Sequence, residues 1–221
     1  NGDGRKETIV IATRVGTSQN GNTFKIFSAD GRLLLKVSFG SAGGCVIGRI
    51  LGQQRSQLVV WDYIDMPDVC HTCNHRYNLY IYDWTKSGKL TPTYYYRTQR
   101  AYPFNVHTVG PFHEYLHHKS QALNLIGLKR VPLDQASFLA IREKALRNNA
   151  YLSHFSRKYR IGHWAIFYRT PPGSEEGEFE VWEKENRGWN HLTGGSGSLD
   201  AKEMESSFGI PAAVWEKLRL Y

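Results

Sequence analysis

The first hundred residues carry one pattern twice. Asn1-Gly2-Asp3-Gly4-Arg5-Lys6-Glu7-Thr8-Ile9-Val10-Ile11 lines up with Leu51-Gly52-Gln53-Gln54-Arg55-Ser56-Gln57-Leu58-Val59-Val60-Trp61. Further on, Phe24-Lys25-Ile26-Phe27 followed by Gly31-Arg32-Leu33-Leu34 lines up with Leu79-Tyr80-Ile81-Tyr82 followed by Gly88-Lys89-Leu90. Each copy reads as a polar turn, an apolar strand, a loop, an alternating strand, a Gly turn and a third strand, with a longer central loop in the second copy. One such unit leaves a sheet face uncovered, so a period of about fifty residues points to stacked β units of the propeller or solenoid kind.

Composition agrees with a folded, strand-rich chain. In 221 residues, 41% are hydrophobic, 13% aromatic and 22% charged, with a mean hydropathy of -0.48. These values exclude a disordered or collagen-like chain. No apolar run approaches the roughly 18 to 20 residues of a membrane-spanning helix. Three cysteines, Cys45, Cys70 and Cys73, cannot all pair with one another, so at least one thiol is left over and the chain is not a disulfide scaffold.

The stretch from Asn1 to Val10 resembles the tail of the D-x-N-G-D-G-x-x-D/E-hydrophobic loop of FG-GAP repeats, the integrin-type propeller blades of extracellular proteins. Its continuation, Lys25-Ile26-Phe27-Ser28-Ala29-Asp30-Gly31-Arg32-Leu33-Leu34, also reads like such a blade. The resemblance covers residues 1–98 as two copies and implies propeller-blade-like antiparallel sheets and export from the cytoplasm. The leading Asp of the loop is absent before Asn1, and the second copy has Gln53 and Gln57 in place of Asp3 and Glu7. A closed propeller takes about four to eight blades. Two copies therefore imply either further blades before Asn1 or an open sheet covered by the rest of the chain.

Residues 99–131 show no clear period. With His107, His113, His117 and His118 they read as a connector containing some strand or short helix. From Pro132 the signals are local and clean. Asp134 can cap a helix with Phe138, Ile141, Ala145 and Leu146 on one face, ending at Asn148-Asn149. Strands are expected over residues 162–170, 178–185 and 188–193. Asp200 and Glu203 form a capping box for a helix ending near Gly209, and Pro211 opens the last one. Residues 132–221 also loosely resemble accessory domains of secreted bacterial proteins, through Trp189-Asn190-His191-Leu192-Thr193-Gly194-Gly195-Ser196-Gly197 and Gly209-Ile210-Pro211. That resemblance implies a small α+β domain, cystatin-like or NTF2-like, with a helix on one face of a sheet.

Several groups of residues are candidates for chemistry. Calcium needs about six or seven oxygens, and a tight Gly-containing loop can turn alternate groups inward. Asn1, Asp3, the Arg5 carbonyl and Glu7 are the candidate ligands, against the simpler reading of a solvated turn. His113-Glu114-Tyr115-Leu116-His117 is a literal H-E-x-x-H, which on a helix puts two His on one face for zinc and leaves Glu114 to activate a water. Gly110-Pro111 just before it and Lys119 just after it speak for a polar connector instead. Cys70-His71-Thr72-Cys73-Asn74-His75 suits a local disulfide, a soft-metal site or free thiols. Cys45, beside Val46 and Ile47, suits a reduced, buried role. Gly194-Gly195-Ser196-Gly197-Ser198 before a helix is a strand-to-helix turn with some capacity for an anion. Trp182, Trp189 and Trp215 suit either the core or a sugar-stacking surface.

The formal charge of +8 is unevenly spread: +4 over residues 1–96, +9 over residues 97–170 (12 Lys and Arg against 3 Asp and Glu), and -5 over residues 171–221. The basic middle could meet nucleic acid, anionic lipid or an acidic wall polymer, or dock on the acidic last third. No nucleophile-base-acid set or cofactor fingerprint stands out in the sequence. The expected protein is thus a non-enzymatic, extracytoplasmic bacterial protein, working in adhesion, envelope association or binding of a carbohydrate or protein ligand. A zinc hydrolase centred on His113, Glu114 and His117 is the alternative, and a nucleic-acid binder lacks any recognisable module. If the Asn1 to Glu7 loop holds calcium, millimolar calcium should raise the melting temperature over that in chelator, and Asp3→Ala should abolish the difference. Identical melting curves would refute calcium there.

Overall fold

A computed structural model of the chain describes residues 8–13, 21–40, 42–50, 55–65, 69–70, 72–85, 87–104, 109–147, 152, 155–173, 177–185, 187–196 and 200–218. They form two compact units, Asn1–Ile126 and Gly127–Tyr221. Both are α+β with antiparallel sheets.

In the first unit, β1 (Thr8–Thr13), β2 (Gly21–Phe27) and β3 (Leu33–Gly40) make a three-stranded meander. A second meander runs through β4 (Gly44–Gly48), β5 (Gln57–Tyr63), β6 (Tyr77–Trp84), β7 (Leu90–Arg97) and the short β8 (Leu123–Asn124). The duplicated pattern is visible here strand for strand: β1-β2-β3 corresponds to β5-β6-β7. Even the irregularities match, because the ladder shifts register after Ile26 in one copy and after Ile81 in the other.

The turns that follow are also the same. Ser28 N donates to Arg32 O and Gly31 N to Ser28 O, both at 2.9 Å. Thr85 N donates to Lys89 O at 2.7 Å and Gly88 N to Thr85 O at 3.1 Å. Gly31 and Gly88 sit at φ 80° and 72°, the left-handed region that a Cβ disfavours.

Strand β5 shows why the two sheets must stack. Its residues alternate between two cores. Leu58 and Val60 join Phe24, Ile26 and Leu90 in a buried cluster completed by Leu35, Val37 and Trp84, so one face of the second sheet is closed by the first. Val59 and Trp61 point the other way, into a cluster with Tyr77, Leu79, Ile81 and Tyr96. That second face is covered by α1 (Gly110–His117), which contributes Tyr115 to the cluster and stacks Phe112 on Trp61 at 5.8 Å between ring centroids. Each large aliphatic or aromatic side chain buried in this way contributes about 1.5 to 3 kcal/mol. The segment read as a connector therefore supplies α1, a short 3-10 turn at Lys119–Gln121 and β8 to the first unit.

The second unit is a five-stranded meander. It comprises β9 (Val131–Pro132), β10 (Arg157–Ile161), β11 (Trp164–Arg169), β12 (Glu178–Glu185) and β13 (Gly188–Ser196). Helix α2 (Gln135–Arg147) closes one face, with Ile141 and Ala145 against Phe155, Ala165, Phe167, Trp182 and Trp189. Leu146, expected on that inner face, is exposed, since it stands about 100° around the helix from Ala145.

Helices α3 (Ala201–Phe208) and α4 (Ala212–Leu218) follow, and Trp215 meets Phe179, on the sheet face away from α2, at 5.8 Å. Thus the second unit carries helices against both faces rather than one. The expected caps are in place: Ser137 N donates to Asp134 Oδ1 at 2.8 Å and Glu203 N to Asp200 Oδ1 at 2.7 Å, and Gly209 closes α3 at φ 66°.

Replacing Gly31 or Gly88 by Ala should cost roughly 1 kcal/mol in each case, since both turns need the left-handed backbone. Urea unfolding of the two single variants tests whether the copies use the turn equivalently; a loss confined to one variant would show that they do not.

Candidate functional site

The candidate calcium ligands Asn1, Asp3, Arg5 and Glu7 lie outside the described residues. Among the described residues, no three His, Cys, Asp or Glu side chains come together as a metal site.

The H-E-x-x-H stretch is helical, because Pro111 occupies the first turn, where a proline costs no hydrogen bond. Its three residues have different fates. His113 and His117 are exposed, whereas Glu114 is only 8% exposed. At Glu114 Oε1 the Tyr96 hydroxyl donates at 2.7 Å and Gln99 N at 2.5 Å; at Oε2 the Tyr102 hydroxyl donates at 2.8 Å and Arg100 N at 3.3 Å. A carboxylate offers about four lone-pair positions, so these donors saturate it.

Glu114 thus ties α1 to the chain leaving β7 and has no free oxygen to polarise a metal-bound water. Gly110 makes this possible, because a Cβ there would lie 2.4 Å from the Tyr102 ring. Burial, followed by the bond to Glu114, holds the Tyr96 phenol well above the usual tyrosine range, and the same two causes push Tyr102 up to about 12.

Cys70 and Cys73 are joined by a disulfide across a Cα–Cα distance of 5.2 Å, on an exposed loop between β5 and β6. Their sulfurs are consumed by that bond, which leaves the soft-metal reading without its ligands while the bridge is intact. His75 is 1% exposed, with Nδ1 2.9 Å from Ile64 O and Nε2 3.1 Å from Cys70 O. It fastens the loop from inside; its backbone pairs with Tyr102 as well. Cys45 is a free thiol, half-buried against the inter-sheet cluster, and burial pushes its pKa up.

Two further expectations change. Gly194 and Gly195 belong to β13 and not to a turn, because they pair with Glu180 and Phe179. A Cβ on Gly194 would lie 2.6 Å from the Glu180 carboxyl group, so an acid and not an anion-binding pocket occupies that space. Trp182, Trp189 and Trp215 are all buried in the core and offer no sugar-stacking surface.

Sequence reasoning missed the strip around β9 and β10. The sequence Arg157-Lys158-Tyr159-Arg160-Ile161 hides its strand character behind three cations, yet it pairs with β11 over its whole length. Opposite Tyr159 and Arg160 lies the two-residue β9, reached through Lys129 and Arg130. The Arg130 guanidinium stacks over the Tyr159 ring at 4.5 Å, and Lys158 Nζ lies 4.2 Å from the centre of the Phe138 ring. Arg160 reaches the exposed Asp134 at 3.3 Å.

Lys129, Arg130 and Arg157 are exposed, and Lys158 and Arg160 are half-exposed. Asp134 is the carboxylate in an ion pair with this group among the described residues. Since neighbours on a strand point to opposite faces, Lys158 and Arg160 lie on the α2 side of this sheet margin and Arg157 and Tyr159, with Arg130, on the other. The margin is thus cationic on both sides, and an extended polyanion could follow its edge.

Removing Glu114 as Ala should destabilise the first unit by about 3 kcal/mol or more, because several buried donors lose their acceptor. The phenols give a pH signature. A group whose folded pKa is raised above its unfolded value of about 10 stabilises the fold below that pH, and the stability fades as pH rises toward the folded value. Stability should accordingly fall from about pH 10 toward about 12 for Tyr102. Tyr102→Phe should flatten that fall in urea titrations, and an unchanged slope would refute the assignment.

Comparison of the chain with protein-family models, with curated proteins and with solved structures found no match, so the chemistry of this strip has to be read from its own side chains.

Proposed function

We propose that the protein is a non-enzymatic binding module that works outside the bacterial cytoplasm and holds an acidic envelope polymer through the β9–β10 margin of its second unit. The carrying observation is the run of Lys129, Arg130, Arg157, Lys158 and Arg160 along both sides of the β9–β10 edge, with Arg130 over Tyr159 and Asp134 as the paired acid. Rows of phosphodiester or uronate charges suit such a margin, because each neutralised anion releases counterions and the contacts need no base or sugar recognition.

Two observations support the extracytoplasmic part of this reading. The Cys70–Cys73 bridge is exposed, where a reducing compartment would open it. The other is the FG-GAP resemblance read in residues 1–98, close in the first loop and departing in the second at Gln53 and Gln57, and a calcium ion in the Asn1 to Glu7 loop would fit the same setting. Propeller-blade ancestry for the first unit and a cystatin-like or NTF2-like ancestry for the second belong to the same proposal. The zinc-hydrolase alternative has Glu114 committed to four donors. It would be reinstated by stoichiometric zinc with peptide cleavage that Glu114→Gln abolishes.

The test is retention on a teichoic-acid or polyuronate matrix. Retention should fall steadily with salt, and the Arg130→Glu, Arg157→Glu double variant should bind roughly 30-fold more weakly, at about 1 kcal/mol for each cation lost. Equal binding by parent and variant, or complete displacement by an equal charge concentration of single-stranded DNA, would overturn the polymer assignment.

A further inference from the structure

We infer that His113 and His117 form a two-point chelate for a divalent transition-metal ion, copper(II) above zinc(II) or nickel(II), on the exposed side of α1. The inference is separate from the polymer reading and involves the other unit. It follows from how α1 is held. Glu114 is locked by its four donors, and Tyr115, fully buried, sits in the core cluster of the second sheet. Pro111 is buried too. One side of the helix is thus fixed by packing and hydrogen bonds, and the side carrying His113 and His117 is left to solvent.

Positions four apart on a helix have their Cβ atoms about 5 to 6 Å apart, a spacing that two imidazoles can close onto one ion. Neither ring is ion-paired with a carboxylate among the described residues; the ring contact recorded for His113 is with Phe112, at 6.2 Å. Because α1 is already rigid, chelation does not have to order the helix, and an ion bridging one turn would stabilise it further.

The donor set decides which metal. Two neutral nitrogen ligands favour copper(II), then nickel(II) and zinc(II), and offer little to calcium or magnesium, which prefer oxygen. Two protein ligands are also fewer than the four of a structural zinc site or the three of a catalytic one. The remaining positions stay open to water or to a donor from another molecule, so the ion exchanges readily. With Glu114 sequestered, the site binds metal without the general base that hydrolysis would need.

The experiment uses the full chain with its disulfide intact, titrated with copper(II) and followed by electron paramagnetic resonance, with zinc(II) measured in competition with a chromophoric chelator. One equivalent of copper(II) at micromolar concentration should show coordination by two imidazole nitrogens. The single variants His113→Ala and His117→Ala should each weaken binding at least tenfold, with unchanged circular dichroism, and His191→Ala should leave it as in the parent. Copper should raise the melting temperature of the parent and not of the His113→Ala, His117→Ala double variant. Absence of micromolar binding, or binding of equal strength in the double variant, would overturn the assignment.

Discussion

The first unit depends on a sheet that has to be covered on both faces. Strand β5 is apolar at successive positions, Leu58 to Trp61, so neither face can be left to water. The duplication answers this on one side, by laying the β1-β2-β3 copy against Leu58 and Val60. A helix answers it on the other, where Phe112 and Tyr115 close over Trp61 and Tyr96. From this follows the placement of His113, Glu114 and His117 on α1. Helix α1 is a lid for a sheet before it is anything else.

Glu114 illustrates how a sequence motif can be drawn into structure. The carboxylate that a metallohydrolase would hold beside its ion is spent on the link between α1 and the exit of β7, with two phenols and two backbone amides converging on it. The cost of burying a charge is met by those donors. The histidines on either side are released from that task and keep only the chemistry that two exposed imidazoles can do. Similar reasoning separates His75, enclosed between carbonyl oxygens, from the exposed disulfide it supports.

Much of the fold was legible because its signals are local. The Gly31 and Gly88 turns, the Asp134 and Asp200 caps and the Gly209 stop depend on neighbours within a few residues, and each is where the sequence places it. What escaped depends on distant partners. A short helix was expected among residues 99–131, but its anchoring in the first unit was not, because its contacts reach back to Tyr96, Gln99 and Tyr102. Strand β10 was hidden because Arg157, Lys158 and Arg160 break any apolar alternation, and their compensation comes from Phe138 and Asp134 on and beside α2. Gly194 and Gly195 resembled a turn because nothing in their own composition reveals the Glu180 side chain that needs the room. The candidate site was half-legible in the same way: the basic excess of residues 97–170 was plain, but its gathering along one sheet edge requires the pairing of β9 with β10.

The matched hairpins also bear on how the chain avoids confusing its two halves while folding. Copies that share a turn and a register shift invite the wrong partners to pair, β2 with β7 or β6 with β3, in a collapsed intermediate. The second hairpin carries two more ladder pairs beyond its register shift, Asp83 with Thr91 and Trp84 with Leu90, than the first, which ends at Phe27 with Leu33. A crossed pairing would leave Trp84 and Leu90 without their partners in the inter-sheet core. Short hairpins close in microseconds, well before distant strands meet. Unequal arm length would favour each copy zipping with itself before it could exchange strands with its twin.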